Sequence, residues 1–183
     1  MKKNLLTKIT LCAILSAFAT ITFTIENLFP PLFIPGSRMG LSNVFILLSA
    51  ILLGGKYAFC TLIIKSTLGS LFAGNVSQII YALPAGAIAL SIELAILFFI
   101  KRTSIVSISV CGAVINATLQ NLTFCLITGT IEFLCYLPYL SLISIFSGLI
   151  VGLAVYLIIK HLPIESLTHN LNEHNVRENK IEN

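Results

Sequence analysis

Two charged side chains stand in the middle of otherwise apolar stretches, Lys65 and Glu93. A charge at the centre of a bilayer costs about 2.5–3.5 kcal/mol on insertion scales, so a residue kept there at that cost points to a function. Lys65 lies nine positions after Lys56, and Glu93 lies eight positions before Lys101 in the next apolar run. At about 1.5 Å per residue, both are expected some 12–14 Å from the same membrane face. Equal depth on consecutive antiparallel helices makes an ion pair geometrically possible. Three readings follow. The pair fixes helix packing, or Lys65 offers positive charge to an anionic ligand above it while Glu93 restrains it, or the Lys65 stem snorkels toward a polar surface.

The uncharged polar residues form a set of their own: Asn43, Asn75, Gln78, Asn116, Gln120 and Asn121. Asn116 and Gln120 are four apart and share a helix face, which supplies two amides to one cavity. Arg38 adds a cation at the outer side. Together these residues predict a polar pocket open to the outside, with Arg38, Asn43, Lys65, Asn116 and Gln120 as substrate-binding candidates. Amides that join one helix to another leave the same pattern in a sequence.

Signals for enzyme chemistry are missing. The chain has no glycine-rich phosphate loop, no metal-spaced histidine cluster and no serine nucleophile elbow, and its histidines (His161, His169, His174) fall at the last helix end and in the tail. It contains no Asp at all. The cysteines Cys12, Cys60, Cys111, Cys125 and Cys135 show no C-x-x-C spacing and read as small membrane-embedded side chains. The expectation is a protein that is not an enzyme and holds neither metal nor cofactor.

Elements that position such residues in lipid must be helices of spanning length. Only 10% of the 183 residues are charged and 57% are hydrophobic, against roughly 25% charged in a soluble domain. About 20 apolar residues cross a hydrocarbon core of about 30 Å. Cutting the apolar runs at Pro, Gly and charge clusters predicts an all-α, polytopic six-helix bundle over 1–162, with spans near 5–25, 39–54, 57–73, 77–100, 104–128 and 133–160. The stretch from Leu5 to Ile25 is too long for a signal-peptide core and reads as a mature helix. Three prolines and a glycine keep Glu26 to Arg38 from forming a continuous helix. Residues 163–183 are polar and read as a disordered cytoplasmic tail.

Basic residues give the orientation, because positively charged flanks stay cytoplasmic. With the N-terminus inside, Lys2, Lys3, Lys8, Lys56, Lys101, Arg102 and Lys160 are cytoplasmic and Arg38 is outside. Both termini are therefore expected in the cytoplasm of a plasma-membrane protein. The net charge of +4 forms no stripe with interleaved aromatics, so lipid rather than nucleic acid is the expected neighbour. No internal duplication of the kind found in many secondary transporters is evident. Ala13 with Ala17, and Gly148 with Gly152, form small-x-x-x-small steps that admit another helix, from the bundle or from a partner.

Three blocks carry a family resemblance: Pro35-Gly36-Ser37-Arg38-Met39-Gly40-Leu41-Ser42-Asn43, Lys65 with Gly69-Ser70-Leu71-Phe72-Ala73-Gly74, and Gly112-Ala113-Val114 leading to Gln120. They resemble the Gx transporter family, whose members are labelled heptaprenyl diphosphate synthase component I. The likeness runs over about 35–160, and its first block is the most specific. That family is similar to the S components of energy-coupling factor (ECF) transporters. The resemblance implies a six-helix, N-inside fold with an outward-facing pocket for a small-molecule ligand. It also implies small residues on the first helix, here Ala13 and Ala17, that dock a transmembrane coupling protein with its ATPases.

Two functions follow from different classes. One is a transport-type substrate-binding subunit for a small anionic or amphipathic molecule. The other is a membrane component of heptaprenyl or polyprenyl diphosphate (isoprenoid quinone) synthesis. Prenyl chain elongation relies on clustered Asp carboxylates that hold Mg²⁺ against diphosphate. A chain without Asp is then an accessory or a carrier of the lipid product. A structural membrane assembly factor is the third reading.

Overall fold

The structure is a computed structural model and describes residues 2–28, 40–99 and 103–161. Those residues form α1 (Lys2–Leu28), α2 (Asn43–Leu52), α3 (Gly55–Phe72), α4 (Gln78–Phe99), α5 (Ile105–Thr128), a 3₁₀ segment (Ile131–Tyr136) and α6 (Leu137–His161). No strand occurs among them. Arg38, Lys101, Arg102 and the tail over 163–183 lie outside the described residues.

Among the described residues, four segments are long and apolar enough to cross a membrane: Leu5–Leu28, Gln78–Phe99, Ile105–Thr128 and Glu132–His161. The other two helices differ from the expected spans for physical reasons. With 10 residues, α2 is about 15 Å long, half the thickness of a hydrocarbon core. Its neighbour α3 has 18 residues but carries Lys56 and Lys65. The run expected as one helix from 133 begins instead as 3₁₀ and becomes α-helical at Leu137. Pro138, in the first turn of α6, has no N–H to donate, and its ring crowds the carbonyl four residues back, so the α-helix cannot extend further toward the N-terminus.

Beside an apolar core, the bundle buries many small hydroxyl residues and exposes many large apolar ones. The interior holds Ser16, Thr20, Ser49, Thr61, Ser66, Ser70, Ser109 and Ser144, while Leu6, Phe18, Phe72, Phe99, Leu126 and Phe146 are exposed. Small hydroxyl residues let helices approach closely, and large apolar ones suit a lipid surround. Thr61 is a knot between helices: it donates to Ser49 Oγ at 3.4 Å, accepts from Ser16 Oγ at 3.3 Å and lies 3.7 Å from Cys12 Sγ. This ties α1, α2 and α3 together.

Gly148 and Gly152 are used within the bundle. A Cβ built on Gly148 would fall 2.7 Å from Val110 Cα, and one on Gly152 would fall 2.7 Å from Val106 Cα. Backbone meets backbone there, and Ser109 Oγ donates to the Gly148 carbonyl at 2.9 Å. Ala13 and Ala17 do the opposite. Both are on the exposed face of α1, while Cys12, Leu15, Ser16, Ala19, Thr20 and Phe23 are buried.

Candidate functional site

The site is built around the start of α2. Gly40 has φ +62, a left-handed conformation that glycine adopts without strain, and the turn it makes delivers Asn43 to the first position of α2. Free N–H groups at that helix end need acceptors. Glu26, near the end of α1, supplies one: its Oε1 accepts from the backbone N–H of Leu41 and, at 3.3 Å, from that of Ser42. A carboxylate also complements the positive end of the helix dipole.

Lys65, in the middle of α3, is only 6% exposed. Its Nζ donates to Asn43 Oδ1 at 2.7 Å and lies 5.3 Å from the centre of the Phe23 ring. A buried ammonium is tolerable only when its donors are engaged. The amide and the aromatic face each supply part of what water would otherwise provide.

Glu93 reaches the same place from the other end. Gly86 packs against Leu62 and Gly55 against Leu94, which sets the antiparallel register of α3 and α4. Counting from Leu62 and Gly86 in that register, Lys65 is three residues toward one end and Glu93 seven residues toward the other. The two backbones are thus not level but offset by about 15 Å. Helical side chains lean toward the N-terminus of their own helix, so on antiparallel helices Lys65 and Glu93 lean toward each other. Gly112 makes room for the carboxylate. A Cβ there would lie 2.6 Å from Glu93 Cγ and closer still to its carboxyl group.

Asn43, Lys65, Ser66, Glu93, Asn116 and Gln120 line one cavity, together with apolar residues including Ile46, Leu62 and Leu90. The structure therefore brings together the described substrate-binding candidates Asn43, Lys65, Asn116 and Gln120, with Glu93 from α4, whereas Asn75, Gln78 and Asn121, also expected in the pocket, do not line it. Gln120 Nε2 donates to Asn116 Oδ1 at 3.3 Å, as their four-residue spacing allows. The cavity measures about 40 Å³, room for about three water molecules.

Other polar residues go elsewhere. Asn75 accepts from Ser77 Oγ at 2.9 Å in the exposed α3–α4 turn. Asn121 donates to the Phe133 carbonyl at 3.1 Å and fastens the 3₁₀ segment to α5. Residues that sequence reasoning did not place in the site are Phe23, Ser66, Glu26 and Gly112. For Gly112 a signal existed, because a glycine within an apolar helix marks a close approach; what approaches is a side chain three-dimensional packing alone identifies.

The family model described as heptaprenyl diphosphate synthase component I matches residues 15–158, a stretch that contains every cavity-lining residue named above. This chain belongs to that family. As a component I, it carries a family name that implies work with another subunit. No curated protein and no solved structure matches it.

Proposed function

We propose that this member of the component I family is a membrane-embedded, transport-type substrate-binding subunit that captures a small anionic or amphipathic molecule from the outer side. The observation that carries the reading is the convergence of Lys65, Asn43, Asn116 and Gln120 on one cavity. A cation held in low dielectric attracts an anion far more strongly than the same cation in water. Amide groups around it then orient the ligand through directional hydrogen bonds.

In this mechanism Lys65 supplies the charge, Asn43 holds its ammonium in place, and Asn116 and Gln120 bind the polar part of the ligand. Glu93 restrains the lysine from the opposite end. Arg38 draws anions toward the outer opening. Six helices with both termini in the cytoplasm form the capturing bundle. The exposed Ala13–Ala17 face of α1 docks a transmembrane coupling protein, whose ATPases drive the reorientation that releases ligand inside. The chain itself performs no catalysis.

The family name favours a second reading, in which the chain is an accessory membrane component of heptaprenyl diphosphate synthesis. Affinity purification of the full chain from native membranes separates the two. Recovery of a membrane coupling protein with ATPases supports transport. Recovery of a soluble prenyltransferase without them overturns it in favour of the synthesis reading.

A further inference from the structure

Gln78, the first residue of α4, is fully buried, and neither its Oε1 nor its Nε2 has a hydrogen-bond partner among the described residues. The buried Ser70 Oγ is in the same condition. Such groups are costly in any protein interior, and more so where the surround is lipid and bulk water cannot reach them. Two unpartnered groups at one place call for a common explanation.

Their place in the fold supplies it. The register set by Leu62 with Gly86 and Gly55 with Leu94 brings Ser70 opposite Gln78. Ser70 is four residues after Ser66 on α3, and Gln78 is four residues before Ala82 on α4; Ser66 and Ala82 both line the Lys65 cavity. Residues four apart share a helix face, so Ser70 and Gln78 continue the cavity wall by one turn on both helices. Phe23 stands at that end: it lines the cavity, and its ring packs against Gly69, beside Ser70. At about 40 Å³ the cavity is too small for an organic ligand, since ligand sites usually enclose about 300 Å³ or more. Occupation must lengthen it, and the Ser70–Gln78 end, where Phe23 packs on Gly69, offers polar atoms without partners.

We propose that Gln78 and Ser70 form a second polar subsite of the same binding site, and that the ligand is an elongated carboxylate with a carboxamide or carboxylic acid group at its far end. This rests on the reading of the Lys65 cavity as an anion site. The ligand carboxylate meets Lys65. Its far group pairs edge to edge with the Gln78 amide, which donates from Nε2 and accepts at Oε1, and Ser70 donates to the remaining lone pair. Lys65 and Ser70 are five residues apart, about 7 Å between their backbone positions along the helix, and a four-carbon spacer is of that order of length. Phe23 moves off Gly69 to join the two halves.

The test is titration calorimetry on the full-length chain in detergent with two probes, adipamate (a carboxylate and a carboxamide joined by four carbons) and hexanoate, which lacks the far polar group. Adipamate should bind wild type about tenfold more tightly than hexanoate, the effect of one well-made hydrogen-bond pair. Gln78→Met should abolish that advantage while the hexanoate affinity and the melting temperature hold, and Lys65→Met should weaken both probes alike. Equal binding of the two probes through Lys65 sinks the subsite and leaves the anion site standing. An advantage that survives Gln78→Met, or a lowered melting temperature in that variant, overturns it as well. If neither probe binds wild type, the anion site falls and the subsite with it.

Discussion

Replacing Gly148 with alanine drives a methyl group into a neighbouring backbone. The added Cβ would sit 2.7 Å from Val110 Cα, 3.1 Å from the Ser109 carbonyl oxygen and 3.1 Å from Ala113 Cβ. None of these is the free end of a side chain, so no rotamer change relieves the overlap, and α5 must part from α6. Overpacking of this kind costs about 1–3 kcal/mol. Parting also stretches the 2.9 Å hydrogen bond from Ser109 Oγ to the Gly148 carbonyl, worth about 0.5–1.5 kcal/mol. For a chain of this length 1 kcal/mol corresponds to roughly 2–4 °C in melting temperature, so the overpacking alone lowers it by about 2–12 °C. Gly152→Ala should do the same, because its Cβ meets Val106 Cα at 2.7 Å. Leu153→Ala, at an exposed position, is the control and should melt near wild type. Thermal unfolding of the purified chain in detergent reads all three. A Gly148→Ala protein that melts with the Leu153→Ala control would refute the close α5–α6 contact and return the glycine pair to a partner-facing role.

Three further outcomes follow from the same geometry. Gly112→Ala should push the Glu93 carboxylate from its seat and change Glu93 labelling by a hydrophobic carbodiimide, with a smaller loss of melting temperature than Gly148→Ala because a side chain yields where backbone cannot; unaltered labelling contradicts this. Glu26→Ala removes the acceptor for the Leu41 and Ser42 N–H groups and should cost about 0.5–2 kcal/mol, as loss of a helix cap does, whereas Glu26→Gln should keep part of that stability; equal melting of all three proteins argues against the cap. In a background without the native cysteines, Asn75→Cys should react with an impermeant thiol reagent on intact cells and Lys160→Cys only after permeabilisation, and the reverse pattern would invert the proposed orientation.

Much of the site was legible in the sequence because lipid makes polar residues conspicuous. Lys65, Asn43, Asn116 and Gln120 stand out against apolar neighbours, and the structure gathers all of them around one cavity. The helix boundaries of α4 and α5 follow from apolar length and flanking turns, with Gly129 at φ +69 ending α5. The depth of Lys65 and Glu93 was not legible. Counting from flanking lysines assumes that each helix starts at the same membrane level, whereas the true register is set by Gly86 against Leu62 and Gly55 against Leu94. Nor does a sequence show which glycine receives what: Gly112 admits a carboxylate, and Gly148 admits a backbone. The partners of polar groups are likewise a property of packing. Asn121 and Gln78 look alike in the sequence, yet one is bonded to the Phe133 carbonyl and the other has no partner among the described residues.

A buried Lys65 ammonium that holds a small molecule inside the bundle should keep that molecule through purification. Solvent extraction of the full-length chain purified from its native membrane, followed by mass spectrometry, measures this directly, with Lys65→Met prepared in parallel and its melting temperature checked. An organic anion should be recovered in near-stoichiometric amount from wild type and lost from Lys65→Met at unchanged fold. The same small molecules in the same amounts from both proteins would contradict it.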